Sequence, residues 1–258
     1  MKLNKLIAIA TISLLSGGIS MAQKALNLED IVAGNIIQTK GIGSMTWLKD
    51  GERYSRLENN KQTGGTDIVA YRAKDNSREV IIPSSLLTDK STGRPIPVRS
   101  VSWSADNEKV LIYNNTRRVW RYDTRGDYWV LNLKDGALRQ LGKGMPESSM
   151  MFAKFSPDGT RVAYVSNNNI YVEDIDSGKI TQLTKDGSDT IVNGTFDWVY
   201  EEEFSCRDGF RWSPDGKHIA YWQSDTKGTG VFDIINNVDS IYAKVIHFPY
   251  PKAGTTNS

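Results

Sequence analysis

Cysteine is nearly absent from this chain: Cys206 is the only one in 258 residues. One thiol excludes an intrachain disulfide and leaves no cysteine-based metal site. Histidine is almost as scarce, with only His218 and His247. His218 follows the turn Asp215-Gly216-Lys217, and His247 lies in the apolar run Val245–Phe248, so both read as surface or strand residues. No Gly-x-Ser-x-Gly nucleophile elbow occurs anywhere. A serine-protease triad therefore cannot be assembled within the chain. Charge of one sign is also missing. Lys and Arg number 32 against 30 Asp and Glu, a formal net charge of +2, which excludes an electrostatic nucleic-acid binder. Beyond residue 22 there is no apolar run of membrane-spanning length.

What is present begins with a leader. Lys2 and Lys5 form a basic start, Leu6–Leu15 is an apolar stretch, and Ser20-Met21-Ala22 supplies small residues before Gln23. Residues 1–22 read as a secretory signal peptide and 23–258 as the mature protein. No cysteine follows the cut to carry a lipid. The expected location is the periplasm, with an uncleaved membrane anchor as the less favoured reading. Asn27-Leu28-Glu29-Asp30 then resembles a capped helix start with acidic residues in its first turn. A short helix over Leu28–Ala33, stopped at Gly34, is expected.

A repeat follows. Met45-Thr46-Trp47-Leu48-Lys49-Asp50-Gly51, Val101-Ser102-Trp103-Ser104-Ala105-Asp106-Asn107, Ala153-Lys154-Phe155-Ser156-Pro157-Asp158-Gly159 and Phe210-Arg211-Trp212-Ser213-Pro214-Asp215-Gly216 share one pattern. Their aromatic positions 47, 103, 155 and 212 lie 56, 52 and 57 residues apart. Apolar strands follow the last three turns: Val110–Tyr113, Val162–Val165 and Ile219–Trp222. A second hairpin recurs inside the unit, turning at Lys134-Asp135-Gly136 and at Asp176-Ser177-Gly178. Two hairpins per unit of about 50 residues make a four-stranded blade. The fold class expected is all-β, a β-propeller of about four blades preceded by a short helix. A β-sandwich of similar hairpins is the alternative. One aspartate per turn is too few oxygen ligands for a calcium loop, so no metal and no cofactor are expected.

The most unusual stretch is Asp197-Trp198-Val199-Tyr200-Glu201-Glu202-Glu203-Phe204. A bare charge run usually marks a solvated face. Here the carboxylates sit among Phe196, Trp198, Tyr200 and Phe204, which would hold them on a fixed frame. Adjacent residues of a strand point to opposite faces, so neighbouring Glu side chains converge only from a helical turn or loop. A helical turn across Tyr200–Phe204 is expected, presenting a carboxylate pair to a cation. A peptide α-ammonium, with three donors and one charge, suits such a pair. A second basic cluster, Arg117-Arg118-Val119-Trp120-Arg121, reads equally as a solvated strand edge or as part of a site.

The stretch Asp197–Glu203 resembles the signature of the dipeptidyl peptidase IV family, within the prolyl oligopeptidase clan. Arg207–Gly216 and Phe248-Pro249-Tyr250-Pro251-Lys252-Ala253-Gly254 are similar to its bacterial branch. Nearly all of the mature chain is covered, but only as the N-terminal part of such enzymes, the first half of an eight-bladed propeller. The resemblance implies a serine exopeptidase that releases N-terminal dipeptides, often after Pro or Ala. It implies that Glu202 and Glu203 bind the substrate ammonium and that Arg121, matching an arginine after a Trp, binds the carbonyl between the first two residues. Glu201 is left a structural role. The catalytic residues would belong to an α/β-hydrolase domain beyond Ser258, and homodimers are common in the family. The chain departs from the animal-type pattern after Phe204, being one residue shorter before the next strand. A non-catalytic periplasmic binding module of the TolB-like kind would share the repeats, but has no need of the acidic stretch.

Residues 23–258, purified alone, are expected to leave a dipeptidyl chromogenic substrate uncleaved, since no activated nucleophile is present. Turnover that a serine-directed inhibitor abolishes would contradict this.

Overall fold

The computed structural model describes residues 27–32, 41 and 43–258. The leader expected at 1–22, and the expected helix stop at Gly34, lie outside the described residues. The chain divides into two units, Met1–Ile42 and Gly43–Ser258. In the first, helix α1 (Leu28–Val32) matches the expected short helix. Its first hydrogen bond runs from the Ile31 amide to the Asn27 carbonyl, at 3.3 Å.

The second unit is almost entirely antiparallel sheet. The first blade is β1 (Thr46–Trp47), β2 (Arg53–Asn59), β3 (Thr66–Arg72) and β4 (Arg78–Ile82), hydrogen-bonded in that order. A small hairpin, β5 (Thr88–Asp89) with β6 (Arg94–Pro95), leads to the second blade. That blade is β7 (Ser100–Trp103), β8 (Lys109–Val119), β9 (Tyr122–Asn132) and β10 (Leu138–Gln140). The third is β11 (Met151–Phe155), β12 (Arg161–Ser166), β13 (Asn169–Asp174) and β14 (Ile180–Gln182). Both predicted hairpins of the unit are therefore present. These blades stack face to face in the manner of a β-propeller, and sandwich pairing is not what the sheets show.

Alternation along the central strands sets the stacking. From β8, Val110 and Ile112 face Ile68 and Ile82 of the first blade and Leu87 of the turn that follows it. Leu111, one residue between them, faces the other way and packs with Val162 and Tyr164 of the third blade. On β12 the same alternation recurs, with Ala163 and Val165 turned toward Phe210 of the fourth repeat. Every one of these side chains is buried.

The repeated turn has a specific chemistry. The amides of Gly51, Asn107, Gly159 and Gly216 each close the turn onto the carbonyl three residues back, at 2.9–3.1 Å. All four have positive φ, between 60° and 69°, which is why only Gly or Asn stands there. In three turns a serine hydroxyl is the hub. Ser104, Ser156 and Ser213 each donate to the aspartate two residues on, at 2.5–2.6 Å. Each also accepts from the amide five residues on, at 2.9–3.0 Å. The first turn has Leu48 instead, and Asp50 bonds Arg53 directly through backbone and side chain.

The fourth repeat departs from the expected four-stranded blade. Here β16 (Phe210–Trp212) pairs with β17 (Ile219–Tyr221), as predicted. The same strand then continues past Trp222 as β18 (Gln223–Asp225), which pairs with an earlier segment, β15 (Ile191–Asn193). Thus β15 and β16 are two halves of one edge strand, separated by an insertion. The last hairpin, β19 (Val231–Asn236) with β20 (Lys244–Pro249), pairs only with itself among the described residues.

The turn makes a testable statement about acid stability. Hydrogen bonds from Ser156 and Thr160 hold the Asp158 carboxyl at about 2. A depressed folded-state value contributes stability that is fully present above about pH 4 and is lost as pH falls toward 2. Asp158→Ala should lower Tm by about 2–4 °C at pH 7, the shift expected for roughly one hydrogen bond in a chain of this size. In thermal melts the difference from wild type should narrow as pH falls from 4 toward 2 and vanish only below the folded-state value.

Candidate functional site: an acidic insertion facing a hairpin arm

The acidic stretch is the insertion that splits the edge strand of the fourth repeat. Its neck is closed by a bridge between Thr195 and Asp208. The Gly209 amide donates to the Gly194 carbonyl at 3.0 Å, and the Gly194 amide to the Trp222 carbonyl at 2.9 Å. Two glycines are required by this crossing. Gly194 has φ +75°, and a Cβ on it would lie 2.8 Å from the Val165 side chain. A Cβ on Gly209 would lie 3.1 Å from the Gly194 backbone.

Within the insertion, helix α2 spans Trp198–Phe204, slightly longer than the predicted turn. Asp197 caps it, accepting the Tyr200 amide at 3.2 Å. Ser205, in the left-handed region at φ 55°, ends it. Glu202 and Glu203 fall in the last turn, where the helix dipole is negative and no basic residue offsets it. Carboxylates at a helix C-terminus cost about 0.3–1 kcal/mol each. The local field therefore favours a cation.

The aromatic frame differs from the expected one. Trp198 is the anchor, 4.9 Å from the Phe248 ring and 5.1 Å from Tyr250. These partners arrive from the end of β20 and the residue that follows it, about fifty residues downstream. The rings of Phe196 and Tyr200 pack at a tilt, their centroids 5.9 Å apart. Phe204 does not hold the segment down: it is 66% exposed, because the helix turns its last residue outward. A cavity of about 130 Å³ lies under the helix, bordered by Trp120, Arg125, Trp198, Glu201 and Phe248.

Opposite the helix stands an arm. β8 and β9 are eleven residues each, and only Lys109–Tyr113 and Tyr128–Asn132 share the width of their blade. The rest projects as a two-stranded hairpin, its register interrupted between Asn114 and Arg117 and again before Val119. At its tip Trp120 has φ +53°, a costly conformation for a bulky residue. Its ring packs 5.2 Å from Phe248. The next residue, Arg121, places Nε 2.5 Å from Glu202 Oε2. Arg121 is 75% exposed and Glu202 only 10%.

The structure thus brings together two of the three predicted site residues. Glu203 lies beside Glu202, exposed and without an ion-pair partner among the described residues. Arg117 and Arg118 stay on the arm's flank, Arg117 opposite Arg125 in the ladder. Glu201 points inward and is 7% exposed, with Oε1 lacking a hydrogen-bond partner. Burial pushes its carboxyl up; the charge of Arg207 opposes this, and Glu202 adds to it. Arg207 is a site residue that the sequence reading left without a role. Its guanidinium lies 3.9 Å over the Tyr122 ring. His218 and His247 are away from this site, on a turn and on β20, the latter 2.6 Å from Asp233. Among the described residues no group of three or more His, Cys, Asp or Glu is placed to hold a metal ion.

Two outcomes follow. Gly194→Ala should destabilise the protein by more than about 1 kcal/mol, since it combines positive φ with a clash, and should disturb the helix signals in an amide NMR spectrum. Glu201→Gln should behave in the opposite sense. A carboxyl raised by folding favours the protein below its unfolded value near 4.3 and costs stability as pH rises through the folded value. The variant should match wild type near pH 4 in thermal melts and exceed it at pH 8.

Comparison with known proteins agrees with this architecture. Residues 104–258 match the dipeptidyl peptidase IV (DPP IV) N-terminal region. Dipeptidyl aminopeptidase B of Saccharomyces cerevisiae is 31% identical over 242 residues, covering 88% of this chain and 28% of the yeast protein. A probable dipeptidyl-aminopeptidase B of Chaetomium globosum is 32% identical over 169 residues, covering 61% of this chain and 18% of its own length. The crystal structure of Porphyromonas gingivalis dipeptidyl peptidase 4 superposes with a TM-score of 0.75 at 26% identity, covering 90% of this chain and 32% of that one. The chain therefore spans less than a third of the length of these relatives. Three sheets of the propeller type, an acidic helix set into a fourth and the match over residues 104–258 place this chain in the dipeptidyl peptidase IV family, as part of its N-terminal region.

Proposed function

We propose that this chain is the substrate-recognition propeller of an exported serine exopeptidase that removes dipeptides from free peptide N-termini. The observation that carries the reading is the Arg121–Glu202 pair beside Glu203, which has no ion-pair partner among the described residues, at the negative end of a helix. Arg121 is the resident cation on Glu202. An incoming α-ammonium takes its place, with Glu202 and Glu203 both accepting from it. Arg121, released, turns its fork of donors to the carbonyl between the first two residues.

Energetics favour this exchange. Giving up an ion pair with one exposed partner costs about 0.2–1 kcal/mol. Each charge-assisted hydrogen bond to the ammonium returns roughly 1.5–3 kcal/mol. The exchange also discriminates, because a blocked amine brings no charge to displace the guanidinium. Glu201 supports the site from below rather than touching the peptide. Bond cleavage falls to the nucleophile of the hydrolase domain that the family supplies.

The test uses the enzyme in which this chain is joined to its hydrolase domain. Glu202→Gln and Glu203→Gln should each lower kcat/KM roughly 30-fold or more, since losing one member of a desolvated charge cluster costs about 2–5 kcal/mol. Arg121→Lys should also reduce it, and an N-acetylated dipeptide substrate should be cleaved very poorly. Equal turnover of acetylated and free substrates, or silent Glu202 and Glu203 variants, would sink the assignment.

A further inference from the structure

We propose that Arg207 is a positioning residue of this site: it fixes the tip of the arm, and with it Arg121, over the acidic helix. Three consecutive tip residues make three different contacts. Trp120 packs on Phe248, Arg121 pairs with Glu202, and Tyr122 lies under the Arg207 guanidinium at 3.9 Å. The strand ladder does not supply the same fixity. Its register is interrupted twice between Asn114 and Val119, and past those breaks only the Arg117–Arg125 and Val119–Tyr122 pairs remain, so the ladder closes the tip without fixing it against the helix. The Arg121–Glu202 pair holds the tip only weakly by itself, because its guanidinium is largely solvated.

The polar atoms of Arg207 point to the ring as the contact that places it. Its Nη1 is buried and has no hydrogen-bond partner among the described residues, and the same is true of Glu201 Oε1. Arg207 is the leading attractive charge on Glu201. A guanidinium next to a carboxylate ordinarily makes a direct, often bidentate pair. Arg207 forgoes that pair and lies against Tyr122, a cation–π geometry that strengthens on desolvation. Its location also suits the task. It stands one residue before Asp208, at the neck of the insertion, the part of the helix-bearing segment most tightly bound to the sheet. The arm is thus referenced to the neck through Arg207 and to the helix through Arg121.

That Glu202 serves an ammonium rests on the function proposed above; the positioning of Arg121 does not. The experiment separates them. In the isotope-labelled chain, the Nε–H of Arg121 should give a distinct resonance because it donates to a carboxylate, assigned by its loss in Arg121→Lys. Arg207→Met and Tyr122→Leu should each remove or broaden it, while Arg207→Lys, which keeps a cation over the ring, should retain it. Amide resonances of β11–β14 report whether each variant is folded, and Tyr122→Leu decides if Arg207→Met is not. In parallel, binding of the tripeptide Ala-Pro-Ala with a free amine is titrated against its N-acetylated form. The two disruptive variants should weaken it roughly 3- to 30-fold, the range of one cation–π contact. An unchanged Arg121 resonance in folded Tyr122→Leu would overturn the proposal. Loss of the resonance in a chain whose wild type binds neither peptide would uphold the positioning and reject the recognition role.

Discussion

The structure depends on two-sided burial of the central blade strands. A strand offers alternate residues to opposite faces, and in β8 and β12 both faces are apolar. Neither face can be left to water, so the second and third blades must each be sandwiched between two neighbours. Burying a Val or Leu side chain is worth about 1.5–3 kcal/mol, and these strands bury one or two apolar side chains on each face. Blade order then follows from the chain, and the short turns hold each blade's hairpins in register. The serine–aspartate hub stabilises those turns without reaching into the core.

On that scaffold the site is built from two excursions. One is the arm, an overlong hairpin of the second blade. The other is the insertion that splits the edge strand of the fourth repeat. Neither belongs to the blade pattern, and each departs from ordinary backbone conformation at its critical point. The arm does so at Trp120, the insertion at Gly194. Both meet against Phe248, delivered by a third segment. The rigid sheets fix the roots of these excursions, while a few aromatic and ionic contacts set their tips.

Much of this was legible in the residues. Asp-Gly and Asp-Asn turns following an aromatic at a near-constant spacing identified the blades, because turn chemistry is local. The helix over the acidic stretch followed from the demand that adjacent carboxylates share a face. The residues singled out by the family resemblance, Glu202 and Arg121, lie side by side as an ion pair, a contact that the resemblance did not specify. Other features were not legible. Phe204 is apolar but exposed, since hydrophobicity alone does not tell which way the last turn of a helix points. Arg207 looked like one more basic residue, because a cation over a ring eighty-five positions away leaves no local mark. The fourth repeat carries the same turn as the others, yet its edge strand is divided.

The sequence by itself determined the local structure. Where chains turn, which strands have two apolar faces and where negative charge is concentrated are all set by near neighbours. Only the tertiary structure decided that the acidic helix is an insertion within a strand, that Phe248 and Tyr250 form its backing, and that Glu201 turns inward while Glu202 meets Arg121. The physical reason is the range of the interactions. Turns and caps join residues within about five positions of each other. The site joins residues from three separate segments, brought together only when the blades have stacked.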